Sequence, residues 1–133
     1  MPVCGRVQKM SNSVSDKNKL PHNHGKNTGD LISHIPDTEV IDNVSAAMKQ
    51  LGDPSRLKIF WLLCHTEECV LDIAEAVNMT SPAVSHHLRL LKSAGLIVSH
   101  REGKEMLYKA ADTPLAQSLH HTIEKVAEIA CPR

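Results

Sequence analysis

The sequence predicts a mainly α-helical domain with one small β-hairpin. Aromatic residues make up only 2% of the 133 residues, so a core must rest on aliphatic side chains, which favours helices over a β-sandwich. Several segments between residues 38 and 130 carry apolar residues at helical spacing. After Gly95 the apolar period changes to two, as it does in strands.

The chain divides by composition into an arm and a domain. Residues 1–36 are rich in Ser, Asn, Lys, Gly and Pro, with too few apolar residues to repay the entropy of ordering. We therefore expect a flexible polar N-terminal arm there, and a single folded domain over residues 37–130. His22 and His24 of the arm are either additional metal ligands or a weak scavenging tail.

Three helices are predicted in the first half of the domain. The first begins at Thr38 and stops before the Gly-Asp-Pro sequence at 52–54. The second runs through residues 55–65, and its apolar positions nearly encircle it, which is typical of the buried centre of a small bundle. The third covers about residues 71–77.

The fourth predicted helix, residues 81–92, completes a helix-turn-helix. Thr80 or Ser81 can cap it, Pro82 suits its first turn, and Gly95 closes it. Two short helices joined by a turn of three to four residues are typical of a helix-turn-helix.

A hairpin and a last helix follow. The turn Arg-Glu-Gly-Lys at 101–104 places Gly103 where a positive φ is needed. A helix-turn-helix followed by a basic-tipped hairpin is typical of a winged helix-turn-helix. The last helix opens with Asp112 or Thr113 as its cap and Pro114 in its first turn, and is predicted to continue to Ala130.

The outer face of the fourth helix predicts contact with double-stranded DNA. On a helical wheel the core face is apolar: Val84, Leu88 and Leu91. Ser85, His86 and Arg89 lie opposite, and such groups suit base edges and phosphates in a major groove. His87 falls at the edge of the apolar stripe and is predicted to be structural.

The predicted DNA contacts include residues beyond this face. The formal net charge of the chain is zero, so attraction to DNA requires a local patch. Residues 81–109 hold such a patch, with more basic than acidic side chains, although an ordinary solvated surface is the alternative. The full set of predicted contacts is Thr80, Ser81, Ser85, His86, Arg89, Lys92, Arg101 and Lys104.

Three stretches together resemble the ArsR/SmtB family of bacterial metal-responsive repressors: LGDPSRLKIFWLL, DIAEAVNMTSPAVSHHLRLLKSAGLI and REGKEMLYKA. The resemblance covers about residues 40–112. It implies a homodimer that binds operator DNA and releases it when an effector binds. It also implies that Ser81–Lys92 is the recognition helix, that the hairpin around Arg101–Lys104 is the wing, and that the first and last helices dimerise.

The resemblance implies a metal site on the last helix. In the family, the metal ligands are an Asp-x-His pair from one subunit and a His-x-x-Glu or His-x-x-His pair from the other subunit. Here Asp112 is in place, Pro114 replaces the histidine, and the pair His121 and Glu124 comes about one helical turn early.

Spacing on the helix adds a further candidate ligand. His120 is four residues from Glu124 and His121 is three, and side chains so spaced can share one cation. Nitrogen and carboxylate ligands suit Zn, Ni or Co as effector, with Cd possible. The predicted metal ligands are Asp112, His120, His121 and Glu124; the alternative is a solvated face with an ion pair.

Thiolates offer an alternative sensor of the same fold. In the family, a thiolate metal site uses two cysteines in a CxC motif. Cys69 occupies the first cysteine position, but Leu71 occupies the second. Cys64 or Cys4 could complete a soft site for Cd, Pb or As, or Cys64 and Cys69 could respond to oxidation. Otherwise a lone buried cysteine is a small apolar residue of the core.

An alternative from another class is a small metal-dependent enzyme. The sequence has no HExxH motif, nucleophile elbow or phosphate loop, so we predict no catalytic residue and no small-molecule substrate. The cysteines lie in irregular positions, and no apolar run resembles a signal segment or reaches the roughly 18 residues of a membrane span. We therefore expect a reduced, cytoplasmic protein without a membrane partner.

Overall fold

The structure, a computed structural model, describes residues 21–22 and 28–132 and divides into two compact units, residues 1–42 and 43–133. In the first unit, helix α1 spans Thr28–Ile32 and helix α2 begins at Thr38. α1 falls within the segment that we expected to be a polar arm, where composition gave no sign of a helix.

The second unit holds most of α2 and the remaining elements, which follow the predicted order with one added strand. The helices are α2 (Thr38–Gln50), α3 (Pro54–Leu63), α4 (Val70–Val77), α5 (Ser81–Ser93) and α6 (Pro114–Ala127). The strands are β1 (Glu68–Cys69), β2 (Ile97–Glu102) and β3 (Glu105–Ala110). The predicted class is confirmed: α4, α5 and the β2–β3 hairpin form a winged helix-turn-helix. Among the described residues, no helix combines the length and the apolar character that crossing a membrane requires.

The hairpin is one part of a three-stranded antiparallel sheet in the order β1-β3-β2. β2 and β3 pair from Ile97 opposite Ala110 to Glu102 opposite Glu105, and Gly103 takes a φ of 67° in the turn. Strand β1 pairs with the other edge of β3. The sequence did not predict β1, since two residues are too few to show alternation.

The core of the second unit is aliphatic apart from Phe60, as the composition predicts. Every helix of this unit and the start of β2 contribute fully buried side chains, among them Ile59, Phe60, Ile73, Leu88, Leu91 and Ile97. In the described part of the chain no buried residue is polar or charged. The polar groups discussed below therefore lie around this core.

Side-chain caps fix where three of the helices begin. Asp53, Thr80 and Thr113 cap α3, α5 and α6, each accepting a hydrogen bond from the backbone N–H three residues on. The α6 helix ends at Ala127 and not at Ala130 as predicted, because Glu128 takes a left-handed conformation with a φ of 57°. This early stop determines where the C-terminal residues lie.

The Asp53 cap predicts a stability effect. Asp53→Ala should lower the free energy of unfolding by about 1 kcal/mol, while Asp53→Asn, which also caps, should cost much less. The Arg56 N–H lowers the pKa of the Asp53 carboxyl, so the cap stabilises above the unfolded-state pKa and fades as pH falls through the folded-state pKa. Urea unfolding at pH 7 and at pH 3 measures both effects; a full cost for Asp53→Asn at pH 7 would contradict the cap.

Candidate nucleic-acid interface and candidate metal centre

Helix α5 divides into a buried and an exposed face, as the helical wheel predicts. Val84, Leu88 and Leu91 are at most 1% exposed. Ser85, His86 and Arg89 are all exposed. Nη2 of Arg89 lies 3.3 Å from Nδ1 of His86, so the histidine steadies the guanidinium on this face.

The flanks of this face carry the other predicted DNA contacts. Nζ of Lys92 donates to Oγ of Ser99 at 2.7 Å, which joins the end of α5 to β2. Arg101 and Lys104 are exposed on either side of the hairpin turn. Thr80 is exposed and caps α5, whereas Ser81 is half-buried in its first turn. These eight residues therefore lie on α5, at its cap and on the β2–β3 hairpin.

His87 has the structural role that its position on the wheel predicted. Its Nδ1 lies 3.2 Å from Nη1 of Arg56, whose Nε donates to the Gln50 carbonyl at 2.9 Å. Because a guanidinium can only donate, Nδ1 must accept, and the ring is neutral with its proton on Nε2. Burial lowers the pKa of His87, which agrees with a neutral ring. His87 thus ties α5 to the start of α3.

A second polar cluster gathers four side chains of metal-binding type: His65, His120, Glu124 and Cys131. One ligand atom from each lies within 4.8 Å of the ligand atoms of the others. His65 follows the end of α3, while His120 and Glu124 are one turn apart on α6. Oε2 of Glu124 lies 3.0 Å from Nε2 of His120 and 3.3 Å from Nε2 of His65.

The turn after α6 brings Cys131 into this cluster. The left-handed Glu128 allows the N–H of Ile129 to donate to the Glu124 carbonyl at 3.0 Å, so the chain folds back on the helix. Sγ of Cys131 then lies 2.9 Å from Oε1 of Glu124 and 3.7 Å from Nε2 of His120. A helix that continued to Ala130 would lack this turn.

Trp61 supports the cluster from α3. Its Nε1 donates to Oε2 of Glu124 at 3.2 Å, and its ring centroid lies 4.4 Å from that of His65. Hydrogen bonds from Cys131, His120 and Trp61 lower the pKa of Glu124 against the effect of desolvation. The carboxylate is therefore ionised at neutral pH and is a ready ligand for a cation.

The cluster contains two of the four predicted metal ligands, His120 and Glu124. His121 is exposed, in a shallow concavity that it shares with Lys125. Oδ1 of Asp112 accepts from Nε2 of Gln117 at 2.7 Å and is not among the clustered atoms. The ligand atoms of these two residues therefore lie outside the cluster, although His121 lines a concavity with Glu124 and Asp112 lines another with His120.

The alternative thiol ligands do not join the cluster. Desolvation, with the nearby Glu124 as a second cause, raises the pKa of Cys64 to about 12, so its thiol stays neutral at physiological pH. Cys69 is half-buried in β1, and neither thiol is in a disulfide. Cys4 and His24 lie outside the described residues, and His22 is exposed. A neutral Cys64 disfavours both soft-metal binding and oxidation at that position.

Sequence reasoning missed His65 and Cys131. His65 is 55 residues from His120 in the chain, and only the packing of α3 near α6 brings them to 3.1 Å between Nε2 atoms. Cys131 depends on the turn at Glu128. The only available signal was chemical type: a histidine after the apolar α3 and a cysteine near the C-terminus.

Comparisons with known proteins agree with this fold. The family model described as "Bacterial regulatory protein, arsR family" matches residues 53–99. The chain is 35% identical over 92 residues to the HTH-type transcriptional repressor SmtB of Mycobacterium tuberculosis, covering 69% of this chain and 66% of that repressor. It is 43% identical over 67 residues to the cadmium resistance transcriptional regulatory protein CadC of Listeria innocua, covering 50% and 56% of the two chains.

A solved structure extends the comparison to three dimensions. It is a homodimeric winged helix-turn-helix DNA-binding domain from Mycobacterium bovis, described as a possible ArsR-family transcriptional regulator. The identity is 34% and the TM-score 0.62, over 68% of this chain and 82% of that one.

Proposed function

Since the chain belongs to the ArsR family of bacterial regulatory proteins, a family of DNA-binding regulators and not of enzymes, we propose that it is a metal-responsive transcriptional repressor. It binds operator DNA as a homodimer and loses affinity when a transition-metal ion binds. The observation that carries the proposal is the exposed polar face of α5, which consists of Ser85, His86 and Arg89. The opposite face of the helix is apolar and buried in the core.

Each predicted DNA contact has a role that fits its chemistry. Ser85 and His86 carry short hydrogen-bonding groups suited to base edges. The basic side chains suit phosphates: Arg89, Lys92, Arg101 and Lys104. Thr80 and Ser81 lie where backbone N–H groups at the start of α5 favour an anion. Together they span a major groove and the adjacent backbone.

Exposed apolar side chains support the proposal of a homodimer. Val44 and Met48 are 37% and 56% exposed on α2, and Val126 is 78% exposed near the end of α6. Large apolar residues exposed on the first and last helices of the winged domain favour burial against a second copy. A two-fold dimer would set its recognition helices about 34 Å apart, in successive major grooves.

The effector is proposed to be a Zn-, Ni- or Co-type ion. The support is the convergence of imidazole, carboxylate and thiol groups near α6, because nitrogen and sulfur donors suit borderline cations and not Mg²⁺ or Ca²⁺. The CadC relative is named for cadmium resistance. An ion changes DNA affinity only if it binds one dimer geometry better than the other.

Selection from a random duplex library, followed by fluorescence anisotropy on the enriched duplex, tests this function. We expect a two-fold symmetric site, salt-dependent binding, and a loss of affinity of about 5- to 150-fold when ZnCl₂ is added. An Arg89→Ala protein carried through the same selection is the control. Failure to enrich any sequence over the control would contradict DNA recognition; unchanged affinity with every metal ion would contradict metal response.

A further inference from the structure

We infer that His65, His120, Glu124 and Cys131 of one protomer bind a single Zn²⁺ ion. The link from this ion to DNA release rests on the proposed function, whereas the binding itself does not. The resemblance had implied a site shared between subunits that includes Asp112 and His121. The inferred site differs because one chain supplies all its ligands.

The distances fit a four-coordinate ion. Tetrahedral zinc, with bonds of about 2.0 to 2.3 Å, sets its ligand atoms roughly 3.3 to 3.7 Å apart. The two Nε2 atoms are 3.1 Å apart, and Oε2 of Glu124 lies 3.0 and 3.3 Å from them. Sγ of Cys131 is 3.7 Å from His120 and 2.9 Å from Glu124. The remaining pair, Cys131 and His65, lies within 4.8 Å, so side-chain shifts of up to about an ångström would complete the tetrahedron.

The hydrogen-bonding capacity of the cluster favours a central cation. Two imidazole nitrogens face each other and the same carboxylate oxygen, so whichever ring nitrogens carry protons, either two acceptors or two donors meet. A cation among them would satisfy every lone pair at once. The side chains of His65, His120 and Glu124 are only 18%, 22% and 12% exposed, which limits the help that water can give.

The supporting residues resemble the outer shell of a metal site. Trp61 donates to Oε2 of Glu124 at 3.2 Å and packs its ring on His65, which fixes two of the ligands. Cys131 is exposed at the open side of the cluster and closes it from the segment that turns back on α6. Two ligands are thus set on α6, His65 by the segment that follows α3, and Cys131 by the turn after α6.

The donor set selects among metal ions. Two imidazoles, one carboxylate and one thiolate in tetrahedral arrangement suit Zn²⁺, with Co²⁺ as its spectroscopic substitute. Ni²⁺ favours tetragonal or octahedral surroundings, and Mg²⁺ and Ca²⁺ require oxygen ligands. Binding releases the Cys131 thiol proton, so affinity falls at low pH.

The position of the site provides a route to the DNA-binding elements. His65 is two residues before Glu67, whose Oε2 lies 3.1 Å from Nδ1 of His100 on strand β2. An ion that holds His65 against α6 therefore fixes the segment that contacts the wing. In the homodimer, α6 would carry the same constraint to the subunit interface.

Titration of the full chain with Co²⁺, followed by Zn²⁺ competition against a chromogenic chelator, tests the site without DNA. We expect one ion per chain, strong tetrahedral ligand-field bands and a sulfur-to-cobalt charge-transfer band. Cys131→Ser should remove the charge-transfer band, and His65→Ala should weaken zinc binding by about 10- to 100-fold or more, since outer-shell losses alone reach that range. Cys131→Ser alters an exposed residue, so it tests the site even where His65→Ala unfolds the protein.

Two matched variants decide between this site and the alternatives. Cys69→Ser and His121→Ala change the same residue types outside the cluster and should leave both the spectrum and the zinc affinity unchanged. Loss of the charge-transfer band in Cys69→Ser, or loss of zinc binding in His121→Ala with retention in His65→Ala, would overturn the inference. If zinc still drives DNA release in Cys131→Ser and His65→Ala, this site is refuted and the proposed function stands. If the cobalt spectrum is as expected but the protein binds no DNA, the proposed function is refuted and this site stands.

Discussion

Arg89→Ala is expected to weaken binding to the selected duplex by about 5- to 150-fold, with little change in folding. Arg89 is exposed on α5, and the hydrogen bond described for its side chain is to His86, also exposed, so the folded state loses little with it. A contact to DNA of this kind contributes about 1 to 3 kcal/mol. If the guanidinium neutralises a phosphate, the slope of log K against log salt should shrink by about 0.9.

Anisotropy at several salt concentrations in the presence of EDTA measures affinity and slope together. Lys125→Ala is the matched control, because it removes an exposed cation from α6, outside the predicted interface. Equal affinity and equal slope for Arg89→Ala and Lys125→Ala would show that the outer face of α5 does not contact DNA. If Arg89→Ala and Lys125→Ala weaken DNA binding to the same extent, the cause is the loss of a positive charge and not a specific contact.

Helix α5 could be predicted from the sequence because its signals are local. The Thr80 cap, the early Pro82 and the apolar positions three or four residues apart all lie within one short segment. Gly95 then takes the left-handed conformation, with a φ of 78°, that lets the chain leave the helix. The same stretch carries the ArsR resemblance, and the comparisons confirm that family.

Two parts of the fold could not be predicted, for different physical reasons. Strand β1 is only Glu68–Cys69, and it is a strand because β3 offers it a free edge. The end of α6 is fixed by a left-handed Glu128, a conformation that a non-glycine residue does not signal in the sequence. Both depend on tertiary surroundings more than on local propensity.

The candidate metal centre shows the same division. His120 and Glu124 were predicted together because a four-residue spacing places two side chains on one side of a helix. His65 and Cys131 depend on the packing near α3 and on the turn after α6, which no spacing rule contains. The family pattern drew attention to Asp112 and His121, which the structure leaves outside the cluster.

Leu88→Ala, one position before Arg89, is expected to have the opposite effect: a loss of about 2 to 5 kcal/mol in the free energy of unfolding. Leu88 is 1% exposed in the core, so alanine would leave a cavity that the surrounding packing fills only in part. The free energy of unfolding of a small domain is only about 5 to 15 kcal/mol. A large fraction of the Leu88→Ala molecules could therefore be unfolded at physiological temperature.

Urea unfolding of the two α5 variants beside Leu71→Ala separates stability from DNA contact. Leu71 is 70% exposed on α4, so the same substitution there should change stability by no more than about 0.5 kcal/mol. For Leu88→Ala, the urea concentration at the unfolding midpoint should fall, while the dependence of the free energy of unfolding on urea concentration stays the same. The molecules that remain folded at low temperature should keep their affinity for the duplex. Because successive helical positions differ by about 100°, stability lost at Leu88 and DNA affinity lost at Arg89 would together fix which face of α5 meets the duplex. A stable Leu88→Ala protein with lost DNA binding would mean that this face had been assigned the wrong way round.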